Sequence, residues 1–238
     1  MNKDIQLNEP LKHLVKKYGV DVSKIGKILC GLRYSAVLLK NGNIGVCANL
    51  LKDVKITIED LRTPGLENIE HRIILNAYFN ALLNYSNHYE KSVDIFAGID
   101  FKRYKSIVMI GLFKPLLKKF AENNINVHVF DKIKESGVLV PIKDEIKYIK
   151  EAEAIILSAT TVFNGTFLEI IDNSPQDCDI FLLGPSSIMH RDMFRYKNIK
   201  GIFGSIFELH DERVLDVIKK GYGTKKFLKF GRKVSLLK

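Results

Sequence analysis

A chain of 238 residues is long enough to bury a sizeable core, and a composition of 46% hydrophobic and 27% charged residues is a globular balance, which excludes global disorder. The formal net charge of +10 directs attention to anionic partners: nucleic acid, an anionic membrane surface or small anions. No apolar run approaches the roughly 18 residues of a membrane span, the opening MNKDIQLNEP lacks the apolar stretch of a signal peptide, and three scattered cysteines make no disulfide framework; a cytoplasmic protein with buried thiols is expected.

Residues 1–20 read as a helix, with Leu11, Leu14 and Val15 on one side and Gly19 as the stop. From Lys24 to Leu50 the pattern turns to β. The run ILCGLRYSAVLL, the turn Asn41-Gly42-Asn43 and the run IGVCANL together predict a hairpin. Residues 69–84 return to helical periodicity, with Ile69, Ile73, Ala77 and Ala81 sharing a face and Asn76, Asn80 and Asn84 forming a polar stripe. Such a stripe belongs either in solvent or facing a second domain across a cleft.

A second regime begins near Asp94. Continuous apolar runs at 106–111, 126–131, 153–159, 178–184 and 199–204 fit strands buried on both faces of a parallel sheet, and the helix-length segments between them make βαβ units. The domain boundary is expected in the polar stretch Asn84–Ser92, giving a unit over 1–90 and another over 91–238. The charge is uneven along this chain: Lys219 to Lys238 holds eight basic residues and no acidic one, while the first 218 residues carry 29 basic and 27 acidic side chains. The interleaved Phe227, Leu228, Phe230 and Val234 predict that the tail packs, partly as a strand, with its lysines toward solvent. Solubility, or an electropositive rim steering an anionic ligand, is therefore favoured over a nucleic-acid arm.

Ligands of parallel sheets bind outside the carboxyl ends of the strands, so the residues there are the candidates. The first strand of the second regime is followed by Gly111 and by a helix that Pro115 suits at its first turn. The second ends at Asp131, twenty residues beyond Gly111, where an acidic residue recognises ribose in nucleotide-binding domains. After the third come Thr160, Thr161, Asn164 and Thr166, hydroxyls and an amide expected at the mouth of a helix, where they either cap it or orient an anion. The fourth runs into Gly184-Pro185-Ser186-Ser187, a sharp turn whose serines are expected to cap a following helix or to donate to a ligand. No complete dinucleotide fingerprint, P-loop, G-x-S-x-G or compact Cys/His cluster accompanies them, and no general base is identified.

The segments GLRYSAVLLKNGNIGV, LNAYFNALLN, VMIGLF, LSATTVFNGT, LLGPSS and IFGSIFELHD resemble the DUF364 family over residues 28 to 223. The resemblance implies an α/β fold: a small α+β domain like the N-terminal domain of enolases, then a Rossmann-like parallel-sheet domain, with an active site in the cleft between them. It places that site on Tyr34, Ser35, Asn80, Gly111, Thr160, Thr161, Asn164, Thr166, Gly184, Pro185 and Ser186, with Asp131 as a looser match. It also implies heavy-metal chelation, or processing of a small anionic or metal-complexed ligand. A heavy-metal ion or a nucleotide-like molecule is the expected cofactor, and a homo-oligomer is compatible with the sequence. The alternatives are a nucleotide- or S-adenosylmethionine-binding transferase and, in another class, a nucleic-acid module using the basic tail.

Overall fold

The computed structural model describes residues 8–89, 94–132 and 137–238. Residues 1–7 of the expected first helix and 90–92 of the expected boundary stretch lie outside the described residues. Helix α1 (Pro10–Tyr18) starts where the Glu9 carboxylate accepts the Lys12 N–H and Pro10 occupies the first turn. It stops at Gly19, whose N–H reaches the Val15 carbonyl.

Strands β1 (Ile25–Cys30), β2 (Tyr34–Leu39) and β3 (Ile44–Ala48) form an antiparallel meander in the order β1-β2-β3. The expected Asn-Gly turn joins β2 to β3, with Gly42 at φ +95°. The longer apolar run before it is two strands and not one. It breaks at Gly31, where a Cβ would lie 2.4 Å from the Ile218 carbonyl oxygen, so only glycine lets the chain turn there.

Helix α2 (Ile69–Leu83) lies across this meander and is buried from Arg72 to Ala81 on every side. A single apolar face was the expectation. The full burial arises because β2 and β3 cover one side while residues 161–164 and the turn after residue 183 cover the others. The asparagine stripe faces neither solvent nor a cleft: it bonds to backbone carbonyls on both sides.

The rest of the chain runs through α3 (Ile95–Gly98), β4 (Ile107–Ile110), α4 (Lys114–Glu122), β5 (His128–Phe130), α5 (Glu145–Lys150), β6 (Ala154–Ser158), α6 (Thr161–Asn164) and α7 (Phe167–Asn173). It continues with β7 (Asp179–Leu183), β8 (Ile199–Phe207), α8 (Arg213–Lys219), α9 (Thr224–Phe227) and β9 (Gly231–Leu237). The second sheet has the order β5-β4-β6-β7-β8-β9, parallel except for β9, which pairs antiparallel with β8. Its strands alternate as pleating requires. Ile107, Met109, Ala154 and Ile156 meet Leu116 and Phe120 of α4 on one face, while Val108, Ile110, Ile155 and Leu157 join the core shared with α2, α5 and α7 on the other.

Two connections differ from expectation. The helix after β6 is split by Gly165, at φ +86°, into the short α6 and α7. No helix follows Gly184-Pro185-Ser186-Ser187; the chain instead runs irregularly to a 3-10 turn at Arg191–Arg195, because both serines are consumed by bonds to neighbouring strands. The basic tail is part of the fold, with α8 and Phe227 packing on the outer face of the meander and Val234 of β9 buried beside β8.

Candidate functional site

Strand β4 is flanked by β5 on one side and β6 on the other, so the connections leaving β4 (to β5) and β6 (to β7) run to opposite sides and open a crevice at their carboxyl ends. Gly111 sits at this point with φ +98°, and a Cβ there would lie 2.8 Å from Ser158 Cβ. Only glycine allows the turns after β4 and β6 to approach this closely. Ser158 Oγ shares a 2.9 Å hydrogen bond with Thr160 Oγ1, and the Thr161 hydroxyl donates to the Ser158 carbonyl at 2.8 Å. Asn164 Oδ1 accepts both the N–H and the hydroxyl of Thr166, at 3.0 and 2.8 Å. These residues cross-brace one another around the bend at Gly165.

The meander closes the crevice from the opposite side. Ser186 Oγ accepts the Ala48 N–H at 3.0 Å, tying the turn after β7 to β3. The Tyr34 hydroxyl bonds Thr224 Oγ1 at 2.8 Å, tying β2 to the start of α9. The cavity between them has a volume of about 1540 Å³ and is lined by ten of the twelve expected residues: Tyr34, Gly111, Asp131, Thr160, Thr161, Asn164, Thr166, Gly184, Pro185 and Ser186.

Ser35 and Asn80 are not part of it. The Ser35 hydroxyl is fully buried and donates to Asn49 Oδ1 at 2.9 Å, because its position in β2 points away from the crevice. Asn80 is buried on α2, where its amide donates to the Val46 carbonyl at 3.1 Å and its oxygen accepts from Asn84. Both are fasteners between elements of the fold.

Among the described residues, Arg33, Lys52, Lys114 and Lys225 line the cavity as exposed cations without an ion-pair partner. Lys119 and Lys233 also line it, at 2.8 and 3.4 Å from Asp94. Burial works to raise the Asp94 pKa, but the Lys119 ammonium, the Phe96 N–H and Lys233 hold it below the usual carboxylate range. Asp131 accepts the Leu112 N–H at 2.7 Å, which joins the ends of β4 and β5.

Sequence reasoning missed Glu145, at the start of α5, which is 7% exposed and lines the same cavity. Burial pushes its carboxyl pKa up and neighbouring Glu169 adds to this, while Lys132 opposes it. In PIKDEIKYIK it reads as one polar position among many, and only the packing of α5 against α7 takes it out of solvent. Ser205 of β8 was missed too, because a serine in an apolar strand carries no signal; its hydroxyl is buried in the cavity wall without a hydrogen-bond partner among the described residues.

The donor set for a metal is sparse. Burial pushes the Cys47 thiol far up and the Cys178 thiol up to about 12, so both stay protonated near neutrality. Among the described residues no three His, Cys, Asp or Glu side chains are grouped to hold a metal ion. His190 lies outside the cavity and accepts the Asp192 N–H at 3.2 Å, capping the 3-10 turn.

The model of the DUF364 family, described as "Putative heavy-metal chelation", matches residues 94–237. A crystal structure of a DUF364 protein of unknown function from Pyrococcus horikoshii superposes with a TM-score of 0.81 at 22% identity, covering 96% of this chain and 100% of the other. A second, from Desulfitobacterium hafniense DCB-2 and also of unknown function, gives 0.77 at 18% identity, covering 96% and 97%. A comparison with curated proteins found no match. No helix among the described residues is long and apolar enough to cross a membrane.

Proposed function

Since the chain belongs to the DUF364 family, we propose that the cavity between its two sheets binds and processes a small organic anion, taken up alone or as a heavy-metal complex. The observation that carries this reading is the convergence of strand-end residues from the parallel sheet with Tyr34 and Arg33 of the meander on one cavity at the topological switch point. Four exposed cations around it, without an ion-pair partner among the described residues, give the ligand its sign. The Thr160 hydroxyl and the amide N–H groups of Asn164 orient it.

A heavy metal enters this reading as cargo. The side chains among the described residues do not fit a metal centre built from protein ligands alone. An organic ligand that already holds the metal removes that requirement, and the protein then recognises the complex through its anionic groups.

The nucleotide-type transferase rests on Asp131 lining the same cavity. With one carboxylate oxygen accepting the Leu112 N–H, Asp131 has a role in the turn that needs no ribose. Nucleic-acid binding by the tail has less support, since Lys225 and Lys233 line the cavity and β9 is a strand of the second sheet.

The test is native mass spectrometry and elemental analysis of the purified protein, before and after mild unfolding and refolding. An organic anion that leaves together with any metal supports the reading. A metal rebound stoichiometrically by the refolded protein without an organic ligand overturns it.

A further inference from the structure

Among the described residues, two buried residues of the cavity wall, Ser205 and Glu145, make no side-chain hydrogen bond. Ser205 Oγ has no hydrogen-bond partner among the described residues. Glu145 has a single cationic neighbour among the described residues, Lys132 Nζ at 3.9 Å, beyond hydrogen-bonding reach, and that lysine is itself half-exposed. Glu169 of α7 adds negative charge from the facing helix. A carboxylate largely withdrawn from water, with no hydrogen-bond donor among the described residues, is costly to the fold. Such a group in a cavity wall is placed for a donor that arrives with the ligand.

We infer that Glu145 is the acceptor for a cationic nitrogen group of the ligand, an ammonium or guanidinium, so that the ligand is a zwitterion whose anionic end is held at the basic mouth formed by Arg33, Lys114 and Lys225. This rests on the cavity being the binding site. It makes Glu145 a specificity determinant: binding the cationic group supplies the missing hydrogen bonds, and anions lacking it leave the carboxyl unsatisfied.

The first arm of the test needs no ligand. The folded chain holds a proton on Glu145 more tightly than the unfolded chain does, so the cost of its carboxylate is absent below about pH 4 and complete only above the raised folded-state pKa. Glu145→Gln therefore melts with the wild type at pH 4 and about 2–4 °C above it at pH 8. A variant that melts below the wild type at pH 8 overturns the inference, because Glu145 would then serve the fold by pairing with Lys132. The second arm compares butyrate with 4-guanidinobutyrate as probes in thermal-shift titrations. The zwitterion stabilises the wild type more than the anion does, and Glu145→Gln abolishes that advantage while keeping the butyrate response. Equal responses to the two probes in both proteins overturn the inference and leave the anion-binding cavity standing; loss of the butyrate response from the wild type itself counts against the cavity reading.

Discussion

Replacing Asn84 by alanine tests how the turn after β7 is held over the cavity. The Asn84 side chain accepts the Met189 N–H at 2.7 Å, donates to the Ser187 carbonyl at 3.1 Å and donates to Asn80 Oδ1. Met189, Ser187 and Asn80 are each no more than 1% exposed, so truncation strands three buried polar groups out of reach of water. Each stranded group costs about 1–3 kcal/mol, and with partial relaxation the total is about 3–4 kcal/mol. For a chain of this size that corresponds to a fall of about 8–12 °C in Tm. Denaturant unfolding followed by circular dichroism measures the loss directly, and an unchanged slope with denaturant assigns it to the native state. A loss below about 1 kcal/mol refutes the reasoning, since it would mean that Gly184–Ser187 keeps its place without α2.

Gly45→Ala places a Cβ 2.0 Å from the Ala77 carbonyl oxygen and 2.3 Å from the Ala81 nitrogen, so α2 must lift off β3; a loss of about 3 kcal/mol or more is expected, and near-wild-type melting would contradict the close approach. Gly111→Ala combines the Ser158 contact with a left-handed backbone that costs a non-glycine residue about 1–2 kcal/mol; the denaturation midpoint falls, and a co-purifying ligand is absent from native mass spectra of the folded fraction. Ser205→Ala removes an unsatisfied hydroxyl and raises apo stability by about 1 kcal/mol; a decrease would show that the hydroxyl has a structural partner. Burial holds His190 below the ordinary histidine range despite the pull of Asp192, so the folded chain resists protonation there and loses stability as pH falls through about 6.5. His190→Asn keeps an acceptor for the Asp192 N–H and flattens the dependence of Tm on pH between 7 and 5; an unchanged slope would place the titration elsewhere.

The parallel sheet was legible because its strands are buried on both faces and therefore appear as uninterrupted apolar runs. The hairpin turn was legible because Asn41-Gly42 supplies the positive φ that the connection requires. What the pattern did not disclose depends on contacts between distant segments. Gly31 reads as a residue inside a strand until Ile218 of α8 is seen pressing on it. Asn80 and Ser35 are polar residues in apolar elements, as binding residues often are, and nothing local distinguishes an amide that serves a ligand from one that serves the Val46 carbonyl. Ser186 and Ser187 look like helix caps, since a turn followed by serines usually precedes a helix. Their hydroxyls instead bond Ala48 of β3 and Phe203 of β8.

The same long-range contacts explain why the meander and the basic tail belong to the site although neither contains its best motifs. Left to itself, the parallel sheet would present Gly111, Thr160 and Gly184 on an open edge, where water competes for every hydrogen bond. Helix α2 prevents this by holding β3 against the turn after β7, through Asn76 to the Ser186 carbonyl and Asn80 to the Val46 carbonyl. The tail completes the enclosure: Thr224 bonds Tyr34 across the opening, and β9 places Lys233 beside Asp94. Two of the eight positive charges of the last twenty residues, Lys225 and Lys233, thereby line the cavity, Lys225 without an ion-pair partner among the described residues. A cavity with charge at its mouth and low-dielectric walls draws anions more strongly than the same charge spread over a surface. Truncation at residue 223 should therefore act on the fold first, because Phe227 and Val234 are core residues. Lys225→Glu isolates the electrostatic contribution: it leaves Tm within about 1 °C, since the residue is exposed, and weakens anion binding most at low ionic strength. Equal weakening at 20 mM and 500 mM salt would show that Lys225 does not act through its charge.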